Sequence, residues 1–165
     1  HAMQQALYSE SKLVAVRYPR GAQRAIPESI KPTFEDFDVF GDEKAEKAIV
    51  TYGRTFSACA FAYEKLLNAG ESVKLIKLNR IIPVCEGAVE AAKTCKDVYF
   101  FEEGIRRGGA GEGFLFDLSK AGFGGKYHLR AIENGFVKQA SVESLLHEYG
   151  FDEEGVLSFI ASAED

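Results

Sequence analysis

The chain has 165 residues, of which 46% are hydrophobic and 27% charged, with a formal net charge of -5. That length fits one ordinary domain with an appendage, and the apolar share excludes a largely disordered protein. No apolar run approaches a membrane span, the N-terminus lacks a signal-peptide pattern, and an acidic balance without a basic cluster excludes a nucleic-acid binder.

Residues 4–11 have a helical pattern, and Leu13 to Val16 reads as a short strand that ends in Arg17-Tyr18-Pro19-Arg20-Gly21. The only Met is Met3, which leads us to expect that the sequence starts inside a longer chain. Residues 22–47 carry an acidic stretch punctuated by Phe34, Phe37 and Phe40, and read as a linker lying along a surface with the phenylalanines as anchors.

A regular alternation follows. Ala48–Tyr52 is a strand closed by Gly53, and Thr55 is expected to cap a helix with Phe56, Cys59, Ala60, Tyr63 and Leu67 on one face. Asn68-Ala69-Gly70 ends that helix, Gly70 acting as its C-terminal glycine. Val73–Leu78 is a second strand, Glu86–Thr94 a second helix and Asp97–Glu102 a third strand. A glycine-rich turn leads into a helix from about Gly109 to Ala121, and Tyr127–Ile132 is a further strand.

Two short helices start at Ser141 and Asp152. The second has Phe151 and Val156 at hydrophobic-staple spacing and Glu153 and Glu154 at its positive end. From Gln139 onward there are seven acids and no Lys or Arg, a solvated acidic face. Strand and helix alternating at these intervals predict a three-layer αβα fold of the α/β class around a mostly parallel sheet of about five strands.

The three cysteines, Cys59, Cys85 and Cys95, form no C-x-x-C pair and read as buried thiols of a reducing, cytoplasmic compartment. His1, His128 and His147 are too dispersed for a metal site. The turn at Gly108, Gly109, Gly111 and Gly113 follows a strand and opens a helix. It lacks the third glycine of a dinucleotide fingerprint, since position 114 is Phe114, and has no Gly-Lys-Ser/Thr. Two readings stay open: close backbone packing, or a cradle for an anion. Arg17 and Arg20, around a Pro-fixed turn, are either forked phosphate donors or ordinary surface arginines. No nucleophile–His–acid set stands out, and Glu102 and Glu103, adjacent on a strand, point to opposite faces and so do not form a dyad.

Taken together, Arg17-Tyr18-Pro19-Arg20-Gly21, Ile49-Val50-Thr51-Tyr52-Gly53-Arg54, Phe101-Glu102-Glu103, Gly108-Gly109-Ala110-Gly111 and the closing Leu145-Leu146-His147-Glu148-Tyr149-Gly150-Phe151-Asp152 resemble the C-terminal part of the 1-deoxy-D-xylulose-5-phosphate synthases. The resemblance implies a transketolase-type C-terminal domain over residues 48–165, a linker over 22–47 and the end of a pyrimidine-binding domain over 1–21. It also implies cytoplasmic homodimers that join pyruvate to glyceraldehyde 3-phosphate with thiamine diphosphate and Mg2+, for isoprenoid precursor synthesis.

In that family the cofactor site and the activating glutamate lie upstream of the matched part. The resemblance therefore implies an inactive fragment whose partners are the missing N-terminal domains, with a role in packing, dimer contact and the substrate entrance. Arg20, then Arg17, would hold the substrate phosphate. Two stretches depart from the family pattern: Lys77 to Cys85 lacks its usual Lys-Pro-Leu-Asp, and Gln139-Ala140 replaces a His-Gly. A domain of another transketolase-like enzyme, or a non-catalytic interaction module of the same fold, is the alternative.

Overall fold

The computed structural model describes residues 6, 8, 13–19, 22–33, 35–133 and 135–163. Its single sheet is made of β1 (Phe37–Phe40), β2 (Lys47–Tyr52), β3 (Val73–Leu78), β4 (Asp97–Ile105) and β5 (Lys126–Ile132), in the spatial order β1-β3-β2-β4-β5. The four strands from β2 onward pair in parallel, and β1 runs antiparallel to β3, placing Phe37 opposite Leu78 and Phe40 opposite Leu75. The connections are α1 (Thr55–Asn68), α2 (Glu86–Lys93) and α3 (Ala110–Lys120), and the chain closes with α4 (Val142–Glu148) and α5 (Glu153–Ser162).

Residue alternation along the strands sorts the core into two halves. Ile49, Leu75, Tyr99 and Phe101 face α1 and α5, where they meet Phe56, Cys59, Tyr63, Val156 and Ile160. Ala48, Val50, Ile76, Val98 and Phe100 face α2 and α3, against Val89, Phe114 and Leu118. The central strands are therefore covered on both faces, which accounts for their Val-, Ile- and Phe-rich sequences. The predicted three-layer α/β fold is observed.

Local signals explain most of the boundaries. Gly70 has φ +85°, and its N–H bonds to the Leu67 carbonyl while that of Glu71 reaches Leu66, closing α1. Ser141 Oγ accepts the N–H of Ser144, and Asp152 Oδ1 accepts that of Gly155, so both terminal helices are capped by the predicted residues. The staple residues Phe151 and Val156 are buried.

Four local readings are corrected. Leu13–Val16 is not a strand: the segment has no regular structure, and none of the five strands lies beside it to pair its backbone. A strand unanticipated from the sequence is instead found at Phe37–Phe40, within the 22–47 stretch. Thr55 is not a cap; Arg54 stands at that position with no side-chain capping bond, and the Thr55 hydroxyl donates to the Tyr52 carbonyl at 2.8 Å. Among the cysteines, Cys59 and Cys95 are buried, whereas Cys85 is half-buried, because it precedes α2 in a surface turn. Burial pushes the Cys59 thiol up to about 12.

Lys74 is fully buried in β3 without a carboxylate partner. Its ammonium donates to the carbonyls of Glu43 (2.6 Å) and Ala91 (3.1 Å) and to Thr94 Oγ1 (3.2 Å). It ties the β1–β2 loop to the end of α2 across the strand. Among the described residues, no helix is long and apolar enough to cross a membrane.

Candidate functional site

From β2 the chain moves to β3 on one side and then to β4 on the other, so the β2–β4 boundary is the place where successive connections diverge. Ligands of open α/β sheets bind at the carboxyl ends of the strands near such a point. Here that end is built from Tyr52, Gly53 and Arg54 after β2, Lys77, Asn79 and Arg80 at the tip of β3, and Glu102 and Glu103 late in β4.

A cleft of about 610 Å³ opens there, between the tips of β2 and β3 and the strap formed by residues 22–33, 35 and 36. The strap is held over α1 by the buried Ile30, by Ser57 Oγ donating to the Ala25 carbonyl, and by Ser29 Oγ donating to Glu64. At its far end Asp38 accepts the N–H of Thr33 (2.8 Å), its hydroxyl (2.5 Å) and the Asn79 amide (2.9 Å). Burial pushes the Asp38 carboxyl up, but these bonds and the Lys77 charge outweigh it and hold the group below the usual carboxylate range.

Four cations line the cleft: Arg24, Arg54, Lys77 and Arg80. Each has a carboxylate within reach: Glu143 at 3.3 Å from Arg24, Glu103 at 3.8 Å from Arg54, Asp38 at 3.8 Å from Lys77 and Asp36 at 2.9 Å from Arg80. Neither His nor Cys lines it. The arrangement is suited to holding an anion that displaces an exposed carboxylate.

Arg20 lies outside the described residues. Arg17 is exposed; its charge bears on the Tyr52 hydroxyl, and the chain beyond it reaches the cleft wall at Pro19. Arg24, Arg54, Lys77 and Arg80 were missed by the sequence reading. The signal that could have found them is their position just past a strand's carboxyl end, or on the segment leading into the sheet.

The glycine turn is organised around Glu102. This side chain has no exposed surface, and its carboxylate accepts the N–H groups of Ala110 (3.1 Å) and Gly111 (2.9 Å) and the hydroxyl of Tyr52 (2.8 Å). Burial, and then the Glu102 charge, raise the Tyr52 pKa. Gly111 makes the approach possible, since a Cβ there would lie 2.5 Å from Leu129 Cδ1 and 2.9 Å from Glu102 Oε1. A Cβ at Gly109 would also meet Glu102, at 2.5 Å, whereas one at Gly113 would meet nothing within 4 Å; Gly108 has φ +75°. Glu103 is exposed, on the opposite side from Glu102 as strand alternation requires.

The arrangement defines an α/β domain with a ligand-sized cleft at its strand ends. Comparison with known proteins carries this further. A solved split-gene transketolase, an inactive beta4 tetramer, matches 84% of this chain and 46% of its own with a TM-score of 0.65 at 20% identity, which establishes a shared fold. The profile of the family described as transketolase, C-terminal domain, matches residues 41–156, and the chain belongs to that family.

Similar curated proteins are 1-deoxy-D-xylulose-5-phosphate synthases. That of Corynebacterium jeikeium is 24% identical over 94% of this chain and 25% of its own length. The Geobacillus thermodenitrificans synthase is 29% identical over 91% and 24%, and the Bacillus mycoides synthase 29% over 97% and 26%. The chain thus spans about a quarter of the length of these relatives.

Proposed function

We propose that the chain is the C-terminal domain of a 1-deoxy-D-xylulose-5-phosphate synthase that joins pyruvate to glyceraldehyde 3-phosphate. Residues 48–165 would form the domain proper, with Phe37–Phe40 added to its sheet; residues 22–47 would be the linker and 1–21 the end of the preceding domain. Its work would be packing, homodimer contact and shaping of the substrate entrance, in the cytoplasm. The observation that carries this reading is the match of nearly the whole chain to about a quarter of the length of proteins of that name. The cleft supports it, since Arg54, Lys77 and Arg80 surround a space whose wall includes Pro19, two residues after Arg17, where an acceptor phosphate would be guided in.

Thiamine diphosphate and Mg2+ would supply the carbanion chemistry of the complete enzyme. Among the described residues no three His, Cys, Asp or Glu side chains converge to hold a metal ion. The family reading puts the cofactor site upstream of the matched part, and we assign this chain no step through it.

The test is a chimera in which this chain replaces the matching quarter of the Geobacillus thermodenitrificans synthase. Carbon dioxide release from pyruvate that depends on glyceraldehyde 3-phosphate is expected from the chimera and not from the isolated chain. A folded, dimeric chimera without activity would overturn the assignment.

A further inference from the structure

A second cavity, of about 420 Å³, lies at the carboxyl end of the edge strand β5, on the far side of β4 from the cleft described above. Two guanidiniums line it. Arg106 is fixed in place: its Nε bonds to Glu133 (2.7 Å) and its Nη2 to the Leu129 carbonyl (2.8 Å). Arg130 is treated differently. Its guanidinium carbon sits 4.4 Å from the centroid of the Phe159 ring, and its Nε is buried with no hydrogen-bond partner. No carboxylate of the described residues forms an ion pair with it.

A partly desolvated cation beside a second cation, with a donor left unmet, is a costly arrangement in an isolated domain. Burial, followed by the Arg106 charge, lowers the Arg130 pKa accordingly. The mouth carries Tyr149 and a fully exposed Phe136, apolar surface within reach of a ligand body in the cavity.

We propose that this cavity binds a small phosphate monoester with a flat or apolar body, Arg130 and Arg106 holding the phosphate and Phe136 and Tyr149 contacting the body. The fork of Arg130 and the remaining Nη of Arg106 supply donors for the phosphate oxygens, the Nε and other Nη of Arg106 staying on Glu133 and Leu129. Glu148, exposed at the rim and in no ion pair with another described residue, sets the other boundary, since its charge opposes the ligand's. The site stands apart from the synthase reading, which places the substrate phosphate at the β2–β3 end.

The test is residue-resolved NMR of the full 165-residue chain, titrated with inorganic phosphate and with phenyl phosphate. Saturable shifts are expected at the amides of Arg130, Ala131 and Tyr149 and at the Arg130 Nε–H, with phenyl phosphate binding about 2- to 10-fold more tightly than phosphate. Arg130→Gln should weaken binding about 10- to 150-fold. Glu148→Gln, which removes an exposed charge and leaves the packing alone, should strengthen it about 2- to 5-fold. Shifts confined to Gly53, Arg54 and Arg80, an absence of shifts, or equal binding by the Arg130 and Glu148 variants would each overturn the proposal.

Discussion

Glu102 on β4 caps helix α3 from across the glycine turn, its Oε1 accepting the N–H of Gly111 at 2.9 Å. The N-terminus of a helix attracts anions because its first N–H groups are unpaired and its dipole is positive there. Here the chain's own carboxylate fills that seat, with Tyr52 supplying a third donor. The glycines at 109 and 111 serve this contact: they let a helix start close on a buried side chain, a packing role inside the domain.

Glu102→Ala should therefore strip two helix N–H groups and the Tyr52 hydroxyl of their buried acceptor, at about 2–4 kcal/mol. Glu102→Gln should cost less, about 1–2 kcal/mol, because one amide oxygen is kept while the NH2 faces a donor. Tyr52→Phe should cost about 1 kcal/mol. Urea denaturation would rank the three, and equal midpoints for Glu102→Ala and wild type would refute the capping role.

The glycines of the turn should not behave alike. Gly111→Ala forces a Cβ against Leu129 and Glu102, 2.5 and 2.9 Å away, and should destabilise by about 1–3 kcal/mol as an overpacked core does. Gly113→Ala, with open space around it inside α3, should stabilise by about 0.5–1 kcal/mol. Thermal melts of the two variants in one buffer would check the opposite signs.

This contrast marks how far the sequence could be read. Helix and strand positions from Ala48 to Ile160 follow from apolar periodicity and caps, which are local and strong, so the three-layer fold was legible. The Glu102 contact was not, because a residue that caps a helix eight or nine positions away leaves no pattern that periodicity detects. Phe37–Phe40 escaped for a related reason: an acidic edge strand draws its pairing from β3, whose sequence is far downstream. Lys74 was equally hidden, since a lysine in a strand normally signals an exposed face and here it is buried and reaches three oxygens. The cleft's cations come from the strap and from two loops that meet only after folding.

In the complete synthase of the proposed function, Arg20→Ala should raise KM for the phosphorylated acceptor about 10- to 150-fold, the value of a charge-assisted contact to phosphate. KM for pyruvate should stay nearly constant. Steady-state kinetics with each substrate varied in turn would show it, and an unchanged acceptor KM would shift the role to Arg17.

The strap that walls the cleft hangs on Asp38. Asp38→Ala removes the acceptor of Thr33 and Asn79 and should cost about 2–3 kcal/mol, with amide exchange rising across residues 22–33 more than in β2 or β4. Asp38 is held below its usual pKa of 3.8, so its contribution is present above that pH and is lost as the pH falls through the folded value. Hydrogen exchange mapped by mass spectrometry would separate local release of the strap from global unfolding.

His147 and Asp152 join α4 to the cap of α5, with Nδ1 2.7 Å from Oδ2. The hydrogen bond and charge of Asp152 raise the His147 pKa above 6.5. Burial pushes Asp152 up, but the bonds from His147 and Gly155 outweigh it and hold the group below 3.8. A raised histidine stabilises fully below its unfolded pKa and stops doing so as the pH rises through its folded one; a lowered aspartate behaves in the opposite sense. The pair should therefore contribute most between 3.8 and 6.5, losing strength above that window as His147 deprotonates and below it as Asp152 protonates. Urea midpoints measured from about pH 5 to 8 should fall at the upper end for wild type, with a smaller fall for His147→Gln. The Asp152 Oδ1 bond to the Gly155 N–H does not depend on His147, so the variant should keep α5 capped and lose only the pH dependence. Parallel profiles for the two proteins would show that the pair has no part in holding the terminal helices together.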